Sequence, residues 1–303
     1  MPDQQYIWFD GKFQKFEDVK VHILTHSLQY GSGIFEGIRS YETKGNAAVF
    51  RLREHVDRFF KSAEVYMIPL QYSREQIHDA ILETLKKNRL KTAYIRPFGF
   101  YNDQRIGLDV TGKKTSISIA AIPFGNYFAG KEKGVRCKIS SWHKINSLIL
   151  PPQAKASGNY LNSIISSIDA KVAGFDEAIL LSGNGYVAEG PGENIFAVSG
   201  NTLVTPSRDA DILLGITRDS VIKIAESMGI KVVERQMHRE EFYTADELFF
   251  TGTAAEITHI SEVDGRAING AKMGPITKML SSRFSGVITG KDKEFSEWLT
   301  NIY

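Results

Sequence analysis

Short apolar runs separated by turn residues follow one another closely between residues 176 and 206. The runs "DEAILL", "YVAEGPGENIFAV" and "TLVTP" are divided by "SGNG" and "SGN", whose glycine and asparagine favour tight turns. Strands joined this closely pair as hairpins, because a parallel crossover needs about a dozen residues or more. This region is therefore predicted to form an antiparallel or barrel-like β domain, and not a doubly wound parallel sheet.

Helical patterns and further strands surround this region. "HVDRFFKSAEVYMI" and the segment after residue 160 repeat apolar residues every three or four positions, which predicts helices with one apolar face. In the second helix the repeating residues are Leu161, Ile164, Ile165, Ile168 and Val172. The runs "YIWFDGKF", "AVFRL", "AYIRPFGFY" and "TSISIAAIPF" predict strands in the first half, and the C-terminal tail is predicted to be helical. The expected class is a mixed α+β fold.

The length of the chain and one local change in composition predict two domains. A chain of 303 residues is long enough for two cores. "PFGNYFAGKEKG" combines proline, glycines and charges, which is typical of a connector. We predict a small N-terminal α/β sandwich-like domain at 1–122, an interdomain loop at 123–134, and a large C-terminal β-barrel-like domain with flanking helices at 135–303.

Composition excludes several classes of function. The 37 basic and 35 acidic residues give a net charge of +2 and are mixed along the chain, so neither nucleic acid nor an anionic membrane is an expected partner. The seven histidines and the single Cys137 lack the spacing of metal ligands, so no metal is expected. No apolar run reaches the ~20 residues of a membrane helix. The N-terminus lacks the pattern of a signal peptide, and we expect a cytoplasmic enzyme.

Lys155 stands alone among small residues in "PPQAKASGNYL". Partial burial disfavours the ammonium form, lowers the pKa and makes the amine a nucleophile, as a Schiff-base lysine requires. The alternative is a solvated loop lysine, the usual state of this residue type.

Three further segments suggest a cofactor site. "AEGPGENIF" places Glu189 and Glu193 among glycines, where a carboxylate can meet a planar ligand; the alternative is a solvated hairpin tip. "LLGITRDS" precedes a helix whose first amides can bind a phosphate, although Thr217 could simply be the N-cap. "FFTGTAAEI" ends an apolar strand in Thr251, Gly252 and Thr253.

These segments, in this order, resemble the branched-chain amino acid aminotransferases, within the fold-type IV class of pyridoxal phosphate enzymes. "SLQYGSGIFEGIRSY", "REHVDRFFKSAE" and "AYIRPFGFY" in the first half agree, so the resemblance covers nearly the whole chain. It implies transamination of leucine, isoleucine and valine with 2-oxoglutarate by a ping-pong mechanism. It also implies a homodimer or a multiple of one, in which active sites borrow residues from "SLQYGSGIFEG" across the interface.

The resemblance implies a role for each site residue. Lys155 carries pyridoxal 5'-phosphate as a Schiff base, Glu189 faces the pyridine nitrogen and Tyr160 bonds the phenolic oxygen. The phosphate is held by Arg58, Ile216, Thr217 and Thr253, while Glu193 and Asn194 shape the site. Arg58 lies on an apolar helical face, where a charge either extends outward to solvent or meets a buried anion.

Substrate residues are implied in both halves. Tyr94, Thr253 and Ala254 meet the α-carboxylate, Arg96 and Tyr30 receive the distal carboxylate of glutamate, and Phe35, Gly37 and Tyr127 line the side-chain pocket. The alternation in "AYIRP" independently places Tyr94 and Arg96 on one face of a strand. An edge strand with one exposed arginine is the alternative.

One residue departs from the family pattern, and three alternative functional classes remain to be considered. Phe124 stands where many relatives carry tryptophan, which leaves the preferred amino donor open. An aminodeoxychorismate lyase or D-amino-acid transaminase shares the lysine, but "YIRP" and "YGSGIFEGIR" favour the branched-chain enzyme. A transaminase of primary amines would not need Arg96 and Thr253. A non-catalytic cofactor-binding protein would not need Lys155 and Glu189.

Overall fold

The chain folds into two compact units. In this computed structural model, which describes residues 5–124 and 133–303, the first unit contains the described residues up to 124 together with Ala154–Gly158 and Val287–Tyr303. The second unit contains the residues from 133 to Gln153 and Asn159–Gly286. The predicted mixed α+β class is confirmed.

The first unit is built on an antiparallel sheet of eight strands. The strands are β1 (Tyr6–Phe9), β2 (Lys12–Lys15), β3 (Gly33–Phe35), β4 (Ile38–Thr43), β5 (Asn46–Phe50), β6 (Ala93–Tyr101), β7 (Thr115–Pro123) and the C-terminal β16 (Leu299–Asn301). Their order is β16-β5-β4-β6-β7-β1-β2, and β3 pairs with β6 beside this path. The pairing of β6 with β7 extends from Ala93 opposite Pro123 to Tyr101 opposite Thr115.

Three helices among the described residues pack against this sheet. They are α1 (His26–Tyr30), α2 (Leu52–Val65) and α3 (Arg74–Lys87), and α2 matches the helix that the sequence predicts in "HVDRFFKSAEVYMI". Ser73 begins α3 with a capping box, since its hydroxyl accepts from the Gln76 amide and the Gln76 side chain accepts from the Ser73 amide. The buried core contains Phe59, Ile77 and Ile95.

The second unit contains a mixed sheet of eight strands. They are β8 (Val135–Ile139), β9 (Glu177–Ile179), β10 (Asn194–Ser199), β11 (Thr202–Thr205), β12 (Lys231–Glu234), β13 (Glu247–Gly252), β14 (Glu256–Val263) and β15 (Arg266–Ala267). The order is β12-β11-β10-β13-β14-β8-β9, and β15 pairs with β14. The central pairs β11-β10-β13-β14 are antiparallel, as the closely spaced turns predict.

The helices of the second unit explain why its sheet is not purely antiparallel. They are α4 (Tyr160–Val172), α5 (Ile216–Ser227), α6 (Arg239–Thr244) and α7 (Pro275–Ile288). β8 and β9 are separated in the chain by α4, and β11 and β12 by α5, and both pairs are parallel. Each of these connections is long enough for a helical crossover, which the hairpin argument did not consider.

Two segments differ from the predicted division at 135–303. β16 pairs with β5, so the end of the chain belongs to the first unit and finishes as a strand after α7, and not as a helix. Ala156 forms a bridge with Ile34, which places Ala154–Gly158 in the first unit as well. Both pairings join residues far apart in the chain, so local patterns do not reveal them. Within the described residues, every helix is too short or too polar to cross a membrane.

Candidate active site

The segment that carries Lys155 is fixed through its backbone in the first unit. The Lys155 amide donates to the Ser62 hydroxyl at 3.0 Å, and its carbonyl accepts from the Phe35 amide at 3.0 Å. A Cβ on Gly31 would lie 3.1 Å from the Gly158 Cα, and Gly31 has a φ of +67°. This close approach explains why small residues surround the lysine.

The Lys155 side chain shares one aromatic ring with an arginine. Its Nζ lies 4.9 Å from the centroid of the Phe35 ring, and the Arg96 guanidinium carbon lies 4.5 Å from the same centroid. Burial and, after it, the Arg58 charge lower the pKa of Lys155 to about 8, although Glu36 opposes the shift. The amine is therefore available close to neutral pH, which the solvated-lysine alternative does not explain.

Tyr94 and Arg96 lie together beside Gly37. Arg96 Nη2 donates to Tyr94 Oη at 2.9 Å, as expected for two residues on one face of β6. A Cβ on Gly37 would collide with Tyr94 Oη, so a larger residue would displace the tyrosine. The Phe124 ring packs 5.0 Å from the Tyr94 ring. The first unit thus brings together Phe35, Gly37, Tyr94, Arg96 and Lys155.

Arg58 meets a buried carboxylate. Its Nε and Nη2 donate to the two oxygens of Glu36 at 2.6 and 2.9 Å, and His55 Nδ1 lies 2.7 Å from Glu36 Oε2. The Glu36 side chain is fully buried and that of Arg58 is 14% exposed. Of the two alternatives for this arginine, the structure supports a buried anion over extension into solvent.

Tyr30 lies apart from the residues gathered around Phe35. Tyr30 is exposed at the end of α1, where its hydroxyl accepts from the Gly107 amide at 3.2 Å and its ring lies 4.6 Å from the His26 ring. Tyr127 lies outside the described residues.

Glu189 is buried in the second unit and both of its oxygens are bonded. Oε1 lies 2.7 Å from Lys144 Nζ, and Oε2 accepts from Asn194 Nδ2 at 2.9 Å and from the Leu213 amide at 3.1 Å. Only 4% of Glu189 is exposed. The alternative of a solvated hairpin tip is therefore wrong for this residue.

Asn194 holds the start of α5 near Glu189. Its Nδ2 also donates to the Leu213 carbonyl at 2.8 Å, and a Cβ on Gly215 would collide with Asn194 Oδ1. Gly215 is the N-cap of α5, and no side chain caps it. Thr217 is buried within the first turn, so the prediction that it could be the N-cap is wrong.

The turn that carries Thr253 and Ala254 follows β13 and lies against the glycine-rich loop. A Cβ on Gly252 would lie 3.4 Å from the Gly192 carbonyl and 3.7 Å from Glu193 Cγ. Glu193 closes that loop, because its Oε2 accepts from the Gly192 amide at 3.0 Å and its carbonyl from the Gly190 amide at 2.7 Å. The second unit thus unites three motifs that are distant in the chain.

Tyr160 begins α4, whose first turn is tied to the residues beside Lys144. Asn162 Nδ2 donates to the His143 carbonyl at 2.9 Å, and its Oδ1 accepts from the Ile145 amide at 3.2 Å. The hydrogen bonds of Asn162 therefore connect the start of α4 with the lysine that contacts Glu189.

Comparisons with known proteins agree on one family. Residues 33–263 match the family model of Amino-transferase class IV. The branched-chain-amino-acid aminotransferase of Escherichia coli (strain K12) is 41% identical over 300 residues, which cover 98% of this chain and 97% of the relative. The chain belongs to the branched-chain-amino-acid aminotransferases. This finding decides against the aminodeoxychorismate lyases and the other rival classes that share the lysine.

Solved structures of this family have the same fold. A branched-chain aminotransferase from Thermoproteus uzoniensis, with norvaline, has a TM-score of 0.95 and 44% identity and covers 99% of this chain and 100% of its own. The branched-chain amino acid aminotransferase from Thermobaculum terrenum, in its PLP-form (holo-form), has a TM-score of 0.93 and 33% identity and covers 100% of each chain.

Sequence analysis missed three buried residues of this branched-chain aminotransferase. Lys144 lies far from Glu189 in the chain, and no pattern around it indicates a partner. Glu36 lies within the quoted "GIFEGIR", and His55 lies one turn of α2 before Phe59. Both could have been noticed as charged or polar residues beside apolar ones. Within residues 5–124 and 133–303, no group of histidine, cysteine or acidic residues is placed to hold a metal ion.

Proposed function

We propose that Lys155 and Glu189 carry the chemistry of this branched-chain aminotransferase at its cofactor, pyridoxal 5'-phosphate. The enzyme transfers the amino group of branched-chain L-amino acids to 2-oxoglutarate, giving 2-oxo acids and L-glutamate. The observation that supports the assignment best is the lowered pKa of Lys155, to about 8, beside Phe35 and Arg96. A lysine of this kind is suited to bind an aldehyde covalently.

The described residues fit the phosphate end of the cofactor. The start of α5 presents backbone amides without a side-chain cap at Gly215, and helix starts favour anions. The Thr251 hydroxyl is buried without a hydrogen-bond partner in the described part of the chain. Thr251 pairs directly with Asn194 across β13 and β10, so the two side chains share one face of the sheet.

We assign the cofactor's contacts as follows. The phosphate is bound by Arg58, the amides of Ile216 and Thr217, and the hydroxyls of Thr217 and Thr253. Tyr160 bonds the phenolic oxygen. Glu189, as a carboxylate, keeps the pyridine nitrogen protonated. When bound, pyridoxal phosphate supplies a conjugated ring that accepts electrons from the substrate's Cα.

The remaining steps are carried out by the chain's own residues. Lys155 would hold the cofactor covalently, and once an incoming amino acid has freed its amine, that amine would move the proton between the substrate's Cα and the cofactor. Lys155 must be neutral to take this proton, and burial and the Arg58 charge favour the neutral form. Because the 2-oxo acid leaves before 2-oxoglutarate binds, we expect ping-pong kinetics.

Substrate orientation follows from charge and shape. We assign the α-carboxylate to Tyr94 and the Thr253–Ala254 turn, and the apolar side-chain pocket to Phe35 and Gly37, with Tyr127 as a further predicted residue. Arg96 binds the distal carboxylate of glutamate, together with a Tyr30 that the second copy of the chain supplies across the proposed dimer interface. The hydrogen bond from Arg96 to Tyr94 and its contact with the Phe35 ring support its place among these residues.

Exposed apolar residues on α4 support a homo-oligomer as the assembly of this protein. The apolar stripe that predicted α4 is exposed: Leu161 is 69% exposed, Ile168 54% and Val172 85%. Leu148 and Ile149, in the same unit, are also largely exposed. Large apolar side chains clustered on a surface indicate a protein interface, and a second copy of the chain is the proposed occupant.

Sedimentation analysis tests the oligomer. Ile168→Glu should dissociate the wild-type assembly, because it introduces a charge into the interface. Val65→Glu, at an exposed apolar position on α2, is the matched control and should not. A wild-type protein that is monomeric and fully active at high dilution would contradict the proposal.

We also propose a cytoplasmic location, which fits the single buried Cys137, and cell fractionation tests it.

The function itself is tested by absorbance. Purified protein should show a band of the lysine-bound cofactor near the visible, and L-leucine should convert it into the band of the aminated cofactor. 2-Oxoglutarate should restore the first band. A protein that binds the cofactor but shows no conversion with L-leucine would contradict the assigned activity.

A further inference from the structure

Glu36, His55 and Arg58 form a buried cluster that the proposed mechanism uses only in part. The Arg58 guanidinium donates hydrogen bonds to both Glu36 carboxylate oxygens, and His55 Nδ1 forms a third hydrogen bond with Glu36. Glu36 and His55 are almost completely buried. Burial alone would raise the pKa of Glu36, but the Arg58 charge and His55 hold it well below its usual range. Glu36 is therefore an anion at neutral pH.

The protonation of His55 follows from the same contacts. Burial lowers the pKa of His55, so the ring is neutral at pH 7. An ionised carboxylate can only accept hydrogen bonds, so His55 Nδ1 must carry the proton and donate it to Glu36. In this cluster Glu36 is negatively charged, Arg58 is positively charged and His55 is a neutral hydrogen-bond donor.

This arrangement fixes the direction of the guanidinium. A bidentate pair uses Nε and Nη2, which lie on one edge of the planar group, so the edge with Nη1 is turned away from Glu36. Glu36 itself is fixed by its backbone, whose amide donates to the Pro97 carbonyl at 2.9 Å. Arg58 consequently has little rotational freedom.

A second connection ties Arg58 to Lys155. The Ser62 hydroxyl donates to the Arg58 carbonyl at 2.9 Å, one turn earlier in α2, and accepts from the Lys155 amide at 3.0 Å. Both residues lie in the first unit, so their separation is set by α2 and by this hydroxyl. Under the proposed function one cofactor would bind both residues, with its phosphate at Arg58 and its aldehyde at Lys155.

We propose that Glu36 and His55 are positioning residues for the cofactor phosphate, which fix the Arg58 guanidinium in the one orientation from which it binds this group. The inference rests on the proposed role of Arg58. It predicts that Glu36 raises phosphate affinity although its own charge repels a phosphate. The opposite result is expected if the carboxylate merely neutralises Arg58.

Comparison of two ligands isolates the contribution of the phosphate to binding. Full-length protein freed of cofactor is titrated with pyridoxal phosphate and with pyridoxal, which shares the aldehyde and the ring but lacks the phosphate. Glu36→Gln should weaken the binding of pyridoxal phosphate about ten- to a hundredfold, the effect of losing a hydrogen bond to a charged group. Binding of pyridoxal should change much less. A general structural defect would weaken both.

Further variants make the result decisive. In an Arg58→Gln background, Glu36→Gln should cause no additional loss of preference for the phosphorylated probe, because its effect acts through Arg58. His55→Gln removes one hydrogen bond to Glu36 and keeps the ion pair, so it tests the inference if Glu36→Gln does not fold. It should lower the preference in the same direction. Glu64→Gln is the matched control, since Glu64 pairs with Arg74 at 3.0 Å on the exposed side of α2.

The outcomes separate the inference from the proposed function. If Arg58→Gln leaves the preference for pyridoxal phosphate intact, the phosphate role of Arg58 is wrong. If Arg58→Gln removes the preference while Glu36→Gln and His55→Gln keep it or increase it, the positioning role is wrong and the proposed function stands. Equal weakening of both probes by Glu36→Gln would also overturn the positioning role.

Discussion

Lys144 Nζ lies 2.7 Å from Glu189 Oε1, and their side chains are 9% and 6% exposed. The ion pair fixes one oxygen of the carboxylate while Asn194 and Leu213 fix the other. A buried charge that loses its partner is strongly destabilising, even where the intact pair contributes little. The lysine therefore holds the Glu189 carboxylate in one orientation.

Replacement of Lys144 tests this relationship. Lys144→Met should lower the free energy of unfolding by about 3 kcal/mol, because it leaves Glu189 buried and unpaired. It should also slow the half-reaction with L-leucine, since a misplaced carboxylate no longer keeps the pyridine nitrogen protonated. Urea unfolding and stopped-flow absorbance measure the two effects. Lys144→Arg keeps the charge and should retain most of both, and a Lys144→Met protein with normal stability and rate would contradict the prediction.

Glu189→Gln should lower the rate of proton transfer by about a hundredfold or more, because a neutral amide cannot keep the ring nitrogen protonated and removes charge stabilisation from the transition state. A deuterium label at the substrate's Cα locates the loss in the proton-transfer step. Glu240→Gln, at an exposed position, is the control for the same change of side chain. Unchanged turnover would assign Glu189 a purely structural role.

Lys155→Ala should leave the protein folded and able to bind pyridoxal phosphate noncovalently, while turnover is lost. Borohydride treatment of the wild type, followed by peptide mapping, should find the cofactor attached at Lys155. The exposed Lys61→Ala is the control and should keep both labelling and activity. A label on another lysine would overturn the assignment.

The lowered pKa of Lys155 predicts a pH dependence for cofactor attachment. Only the neutral amine attacks an aldehyde, so in protein freed of cofactor the attachment rate should rise with pH and level off above about 8. The folded state binds fewer protons at this lysine than the unfolded chain between about 8 and the ordinary lysine value. Stability should therefore rise with pH across that window. A rate that still increases steeply near pH 10 would show that the lysine is not perturbed.

The sequence was sufficient where local pattern decides structure. Periodicity located α2 and α4, and alternation located Tyr94 and Arg96 on β6. It failed where distant segments pair: β16 joins β5, and Lys144 contacts Glu189 across the second unit. The apolar stripe of α4 is instructive because periodicity shows which residues share a face, but not whether that face is covered within the same chain.

Arg96 gives the most discriminating test of substrate recognition, because one pocket must accept both an aliphatic side chain and the charged side chain of glutamate. If Arg96 binds the distal carboxylate, Arg96→Leu should damage the reaction of glutamate and 2-oxoglutarate far more than that of leucine, isoleucine or valine. A hydrogen bond to a charged group contributes roughly 1.5–3 kcal/mol, so the expected bias in kcat/KM is about ten- to a hundredfold.

Separate half-reactions with L-leucine and L-glutamate measure this bias for Arg96→Leu, with the exposed Arg53→Leu as the control. The loss of the Arg96 hydrogen bond also frees Tyr94, so a small loss for both substrates is expected beside the larger one for glutamate. Equal losses would place Arg96 at the shared α-carboxylate or in the scaffold. No loss for either substrate would mean that Arg96 is an exposed arginine without a role in binding.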